Sequence, residues 1–479
     1  MTRINTNVPS ITARRHLTRA SDSLGIALER LSSGLRINRG ADDPAGLIIS
    51  ESLRSEINGV RQAVANSQRA SNVIATTEGA LNEVAALLTD IQSKVVEAAN
   101  KGAISDDEIR ANQLQIDSAI ESITRIANTT TFGGRSLLNG TLDYVTSGIN
   151  QAQLSDVRIH GAKFGTAPYL PVTVNVTQSA QHGQLRFETS AITGSLTLEI
   201  AGAAGVTSLA LLSGTRASAI LAAVNLVTDA TGVSASLINA ANAASGIILS
   251  TTAFGSDAFV GVSEIGTTTP VFQTRDAGGN LVRRDHGRDA AATVNGALTL
   301  GRGLDLSLNT SGLSLALRLQ ESFNTLGTSS FAITGGGALF QLGGGVDSNQ
   351  QVNIGVGATT ASRLGTADVG YLAQIASGGA YSLVSGQAPQ AGKVVEEAIR
   401  QVASLRGRLG AFEKNTLSTN VNQLQITLEN LVAAESSIRD VDFAQETSNL
   451  TRAQILVSAG TSILSIANQT PQAVLQLLQ

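Results

Sequence analysis

Apolar residues recur at alternating intervals of three and four along both ends of this chain, and at intervals of two in its middle. Near the start, Ala13, Leu17, Ala20, Leu24, Ala27 and Leu31 form one stripe, the heptad pattern of a helix that meets another helix along a seam. Asp43 can cap a second helix, and Pro44 suits its first position. From there Leu53, Ile57, Val60, Val64, Ser67, Ser71, Ile74, Glu78, Leu81, Ala85, Leu88, Gln92 and Val95 keep the spacing, with polar members that make this seam imperfect. Ser105 and Glu108 form a capping box. It opens a third helix with Ile109, Gln113, Ile116, Ile120, Ile123 and Ala127 on one face. At the far end Val395, Ala398, Val402, Leu405, Leu409, Phe412, Thr416 and Thr419 repeat the pattern, and a parallel stripe takes over at Val421, Leu424, Leu428 and Leu431. The last helix carries Leu450, Val457 and Leu464 beside the small Ala453, Gly460 and Ala467, which permit close approach. Pro471 is expected to weaken or kink its final turns.

From about 140 to 385 the pattern changes. Residues 172–176 and 195–200 alternate with period two, 246–250 reads as another strand, and 216–228 as one helix between strands. Gly335, Gly336 and Gly337, and again Gly343, Gly344 and Gly345, mark loops or bends. The fold class predicted is mainly α at both ends, with long helices in an antiparallel coiled-coil bundle, around a β-rich α+β insertion of one or two modules.

The outermost helices are poor in large side chains. Each buried leucine contributes roughly 1.5–3 kcal/mol, while fixing the backbone costs about 1–2 kcal/mol per residue. One such helix cannot order itself, and a lone pair is marginal. Both termini are therefore expected to be mobile in a single copy and to order when many copies pack together. The alternative is an intramolecular coiled coil that clips the two ends to each other.

Composition narrows the chemistry. The 479 residues carry only 3% aromatics, 15% charged residues, 48 glycines and no tryptophan, which suits small-residue helices better than a large enzyme core. A net charge of −4 argues against a nucleic-acid partner. With no cysteine, disulfides, thiolate nucleophiles and cysteine-ligated metals are excluded. His16, His160, His182 and His286 stand far apart, and none lies in an H-E-x-x-H run, so no zinc peptidase, cofactor or metal is expected and the chain reads as no enzyme. Asp42 and Asp43, and Asp440 and Asp442, read as helix-boundary residues. Arg283, Arg284 and Arg288 read as a solvated loop. No uninterrupted run of 18 apolar residues exists, so no membrane insertion is expected. Arg14-Arg15 is followed by polar residues, which argues against a cleaved leader.

Two long motifs carry a resemblance. Arg30-Leu31-Ser32-Ser33-Gly34-Leu35-Arg36-Ile37-Asn38, then Asp42-Asp43-Pro44-Ala45-Gly46 and Thr76-Thr77-Glu78-Gly79-Ala80-Leu81, resemble the N-terminal signature of the bacterial flagellins. Ser448-Asn449-Leu450-Thr451-Arg452-Ala453-Gln454-Ile455-Leu456, Ala459-Gly460-Thr461-Ser462 and the ending from Ala467 to Leu478 resemble their C-terminal signature. The match covers about half the chain, and 194–265 is similar to a shorter module found in flagellins and related axial proteins.

The resemblance implies a structural subunit that self-assembles into the helical flagellar filament for swimming motility. Five segments follow from it. Residues 1–42 and 435–479 are the two halves of an inner coiled-coil core, 43–170 and 336–434 belong to an outer helical tube, and 171–335 is a surface-exposed variable insertion. Ala13, Leu17, Ala20, Leu24, Ala27 and Leu31 would meet Leu450, Ala453, Val457, Gly460, Leu464 and Ala467 in the inner-core seam. Arg30, Leu31, Ser32, Ser33, Gly34, Leu35, Arg36, Ile37 and Asn38 would form the spoke between core and tube. The partners implied are the chain itself as a helical homopolymer, an export chaperone at the C-terminal helix, and filament cap and hook-junction proteins. The implied location is the extracellular filament, reached by type III export without a cleaved signal peptide. A hook–filament junction protein, or a secreted adhesin using these ends for export, are the rival readings. One departure stands out. Where receptor-stimulating flagellins carry Arg, Leu and Glu contacts for the flagellin-sensing Toll-like receptor, this chain has Asp90, Lys94 and Gln115. Weak or absent stimulation is expected.

Overall fold

The structure is a computed structural model that describes residues 6–165, 167–242, 244–266 and 270–476. Its helices are α1 (Val8–Ser33), α2 (Pro44–Ala99), α3 (Asp106–Thr129), α4 (Ala217–Leu226), the single turn α5 (Thr228–Thr231), α6 (Ala388–Phe412), α7 (Thr419–Arg439) and α8 (Phe443–Gln476). Strands fill the stretch between α3 and α6, so the α–β–α order matches the sequence pattern. The chain forms two compact units. One takes in the chain up to Ala70, Gln341–Gln350 and everything from Lys414 on, and the other holds Ser71–Phe340 and Gln351–Glu413.

In the first unit, α1 and α8 pair with each other, and the opening turns of α2 lie beside α7. Asn420 of α7 donates to Ser67 Oγ at 3.1 Å, and Arg439 reaches Glu51 at 2.8 Å, which makes that second pair antiparallel. α8 continues as helix past Pro471 to Gln476. No unbroken run of 18 apolar residues is present, yet one helix has the average hydropathy of a membrane span. Phe443–Gln469 of α8 is long and apolar enough by length and composition. Its Ile, Leu, Val and Ala are interleaved with uncharged Ser, Thr, Asn and Gln, so the average is apolar with no unbroken run.

In the second unit, the later turns of α2, with α3 and α6, bury Ile74, Leu81, Leu88, Ile116, Ile123, Val395, Val402 and Leu409. The buried stripe along α2 is more regular than the sequence suggests. Val60, Ser67, Ile74, Leu81, Leu88 and Val95 are joined by Ala63, Ala70, Thr77, Val84, Ile91 and Ala98, three residues after each. Val64, Ser71, Glu78, Ala85 and Gln92, four residues after the first five, are half-buried. Alanines and a threonine are weak signals in a sequence, which is why the polar neighbours stood in for them. The stripe on α6 changes phase for a structural reason. Glu413–Ser418 is a π-helical turn, whose wider turn buries Leu417 rather than the expected Thr416.

The β-rich stretch between α3 and α6 has two hydrophobic cores, and the first draws on strands that precede the expected insertion at 171–335. The first lies between two antiparallel sheets. One sheet has strands in the order Ala297–Leu298, Ala291–Val294, Leu170–Gln178, Gly327–Gly336 and Tyr144–Ser147, and the other has Leu300–Arg302, Asp305–Asn309, Leu313–Leu319 and Leu154–Ala162. Val172, Val174 and Val176 point into this core, opposite Leu306, Leu315 and Leu317, while Thr173 and Asn175 face out. Tyr144 is buried among them and its hydroxyl accepts from Ala162 N at 2.8 Å, with burial pushing its pKa up to about 12. The second core gathers Leu185, Phe187, Leu198, Ile200, Ile247 and Leu249 from two smaller sheets beneath Ile220 and Val224 of α4. Phe187 stacks on Phe272 at 4.1 Å between centroids. The structure thus has two modules, and the helix expected at 216–228 is α4.

Candidate assembly interface

α1 begins where the Asn7 side chain accepts from Ser10 N at 3.1 Å, and ends at Gly34, whose φ of +73° is a left-handed conformation that glycine adopts without strain. α8 begins where Asp442 Oδ1 accepts from Ala444 N and Gln445 N. The two helices run antiparallel. Asn7 donates to Ala467 O at 2.8 Å, Leu17 lies against Gly460, and Arg30 approaches Glu446 at 3.9 Å.

The residues expected in the seam are buried or half-buried on these two helices. Ala13, Ala20 and Ala27 of α1 and Ala453 and Ala467 of α8 are buried. Leu17, Leu24, Leu31, Leu450, Val457, Leu464 and Gly460 are half-buried. The small residues thus set the contact, and the large ones flank it. A side chain on Gly460 would press on Leu17 at 3.2 Å. On the other faces of the same helices, Val8, Ile11, Ile26, Leu28, Phe443, Ile455, Leu456, Ile463 and Ile466 are exposed.

The nine residues from Arg30 to Asn38 span the end of α1 and the link to α2. Gly34, Leu35 and Arg36 pair with the link between α7 and α8. Arg36 N donates to Arg439 O at 2.7 Å, Val441 N donates to Gly34 O at 3.0 Å, and Leu35 opposes Asp440. Ile37 is fully buried, Asn38 is half-buried, and Ser32 and Ser33 are exposed. Asp42 accepts from the backbone N–H groups of Asn38 and Arg39, which hold its carboxyl below the usual range. Asp43 accepts from Gly46 N at 2.9 Å as the cap of α2. The partner segment at 439–441 carries no apolar period, so sequence reasoning could not have found it.

In the other unit, Asp90, Lys94 and Gln115 come together. They line one groove of about 300 Å³ between α2 and α3, with Ile91 and Ile116 at its floor. Lys94 Nζ is 2.9 Å from Glu97, and this contact holds Glu97 low. Among the described residues, no group of three or more His, Asp or Glu side chains is placed to hold a metal ion.

Residues 4–143 match the family described as "Bacterial flagellin N-terminal helical region", and residues 393–478 match "Bacterial flagellin C-terminal helical region". The chain is 30% identical to Flagellin B of Vibrio cholerae, over 99% of each chain. It is 29% identical to Flagellin A of Helicobacter pylori, again over 99% of each. A crystal structure of the D2-D3 domains of the flagellar cap protein FliD from Escherichia coli aligns to 40% of this chain and 97% of that one, at 20% identity and a TM-score of 0.28, too low to bear on the fold. With both helical ends matched and the likeness to Flagellin B running nearly end to end, this chain belongs to the bacterial flagellin family.

Proposed function

We propose that this chain is the structural subunit of a bacterial flagellar filament, polymerising with copies of itself outside the cell, and that its role is mechanical rather than catalytic. The observation that carries this reading is the imbalance on α1 and α8. Their mutual contact is made by alanines, while nine large apolar side chains on their remaining faces stay in solvent. An apolar surface of that extent on a folded chain marks an interaction site. Sister copies supply the matching faces, and their packing orders termini that one pair of helices holds only marginally.

The division into an inner core at 1–42 and 435–479, an outer tube at 43–170 and 336–434, and an exposed insertion at 171–335 follows from the same reading. So do the spoke at 30–38, a chaperone on α8 before export without a cleaved leader, and cap and junction proteins at the filament ends. Purified chain, seeded at high concentration, is expected to grow long tubes with a central channel under the electron microscope. Short rings, or no assembly, would favour the junction or adhesin readings.

The groove at Asp90, Lys94 and Gln115 supports a second reading of narrower scope. It pairs an exposed carboxylate with an ammonium already engaged by Glu97, and such a surface repels a partner built to receive Arg and Leu. Monomeric protein should stimulate Toll-like-receptor reporter cells weakly or not at all. The substitutions Asp90→Arg, Lys94→Leu and Gln115→Glu together should raise potency by about tenfold or more. Full potency of the unaltered chain would refute this.

A further inference from the structure

Strands Ala338–Gln341 and Gln351–Ile354 lead into and out of a loop with three consecutive glycines, Gly343, Gly344 and Gly345. The loop is cross-braced. Gln341 Nε2 donates to Gly343 O at 2.9 Å and Gly345 O at 2.6 Å. Gln350 Oε1 accepts from Gly345 N at 2.6 Å, and its amide nitrogen donates to Asp347 at 2.7 Å. The loop is also anchored within its own compact unit. Gly344 lies on Gly59 of α2 so closely that a Cβ on Gly59 would sit 2.9 Å from Gly344 O, and a Cβ on Gly344 would sit 3.0 Å from Gly59 C. Asn420 of α7 donates at once to Leu342 O at 2.8 Å and to Ser67 Oγ at 3.1 Å. Leu342 is buried.

At the tip of this fixed loop stands Val346, 91% exposed. A large apolar side chain on a floppy loop would carry no message. Here the backbone entropy is already lost, so binding through the valine would cost little further ordering. The same unit exposes Ile48 and Ile49 on α2 and Ile426 and Val432 on α7. These are apolar surfaces that another copy of the chain would bring to the valine.

We propose that Val346 is a knob seated against an apolar face of a second copy in the polymer, a reading that rests on the assembly proposed above. The competing account is that the loop only clasps α2 to α7, with its tip left idle.

The chain has no cysteine, so Val346→Cys gives a single labelling site. Labelled with an environment-sensitive fluorophore and carried as a minor fraction in unaltered full-length chain, it should shift its emission to the blue on polymerisation. Quenching by iodide should fall several-fold. Val346→Ser should raise the critical concentration for filament growth by about tenfold and leave the melting of the monomer unchanged. A label quenched equally in monomer and filament, or a Val346→Ser critical concentration within about twofold of the unaltered chain's, would overturn the proposal. Failure of the unaltered chain to form filaments would overturn the assembly reading beneath it.

Discussion

Ala20→Asp combined with Ala453→Asp is expected to abolish filament formation while leaving the trunk helices folded. Both alanines are buried on the paired helices α1 and α8, where a carboxylate would lose its water of hydration. An unpaired charge in such a place costs several kcal/mol, of the order of the whole stabilisation of a marginal helix pair. α2, α3 and α6 draw their burial from a separate set of side chains, Leu81, Ile123 and Val402 among them. Far-ultraviolet circular dichroism should therefore lose only the share of α1 and α8, and the main thermal transition should move little. Sedimentation of seeded samples reads the outcome. Normal pellets from the double variant would show that the alanine seam does not govern assembly, and a collapse of the main transition would show that the ends and the trunk are one cooperative structure.

The second large effect concerns acid. His160 lies on the strand Leu154–Ala162, and burial pushes its pKa down to about 3, with the positive charges of Arg408 on α6 and Arg158 on its own strand adding to the shift. The folded chain thus resists a proton that the unfolded chain accepts near the ordinary imidazole value. Between about pH 6.5 and 3 the unfolded state binds more protons, so stability falls as the solution is acidified and recovers as pH rises. The ring is not sealed from solvent, and the loss is about 2–3 kcal/mol after allowance for that. Asp143 and Asp305 act in the opposite sense. Burial raises both carboxyls, so as the pH falls toward the ordinary carboxylate value the folded chain takes up these protons before the unfolded chain does, which relieves a cost of folding and offsets part of the loss. His160→Gln should flatten the pH dependence of urea midpoints between pH 6.5 and 4.5, whatever it does to stability at pH 8. An unchanged slope would assign the acid sensitivity elsewhere.

Arg408 shows why this cluster is finely balanced. Two of its guanidinium nitrogens are buried without an acceptor, and Asp143 attracts it without forming a direct ion pair. Burial lowers its pKa. A second cation on His160 would be added to a site that already holds one charge without a direct ion pair.

Periodicity alone determined a good deal of this molecule. The helix–insertion–helix order, the stripe of Ala13 to Leu31, the caps at Asp43 and Ser105, and the alternation at 172–176 are local patterns. A helix or strand must turn its apolar positions to one side whatever its partner is. The two end motifs also carried the family. What periodicity could not decide was which of two adjacent stripes on α2 would be buried. Ala63, Ala70 and Thr77 won over Val64, Ser71 and Glu78, and only the surface packed against the helix sets that rotation. The π-helical turn at Glu413–Ser418, the pairing of Gly34 to Arg36 with 439–441, and the approach of Gly344 to Gly59 join residues that are distant in the chain or bend a helix by one residue. They leave no local pattern because their energy comes from backbone groups and close contact, which exist only once the tertiary structure has formed.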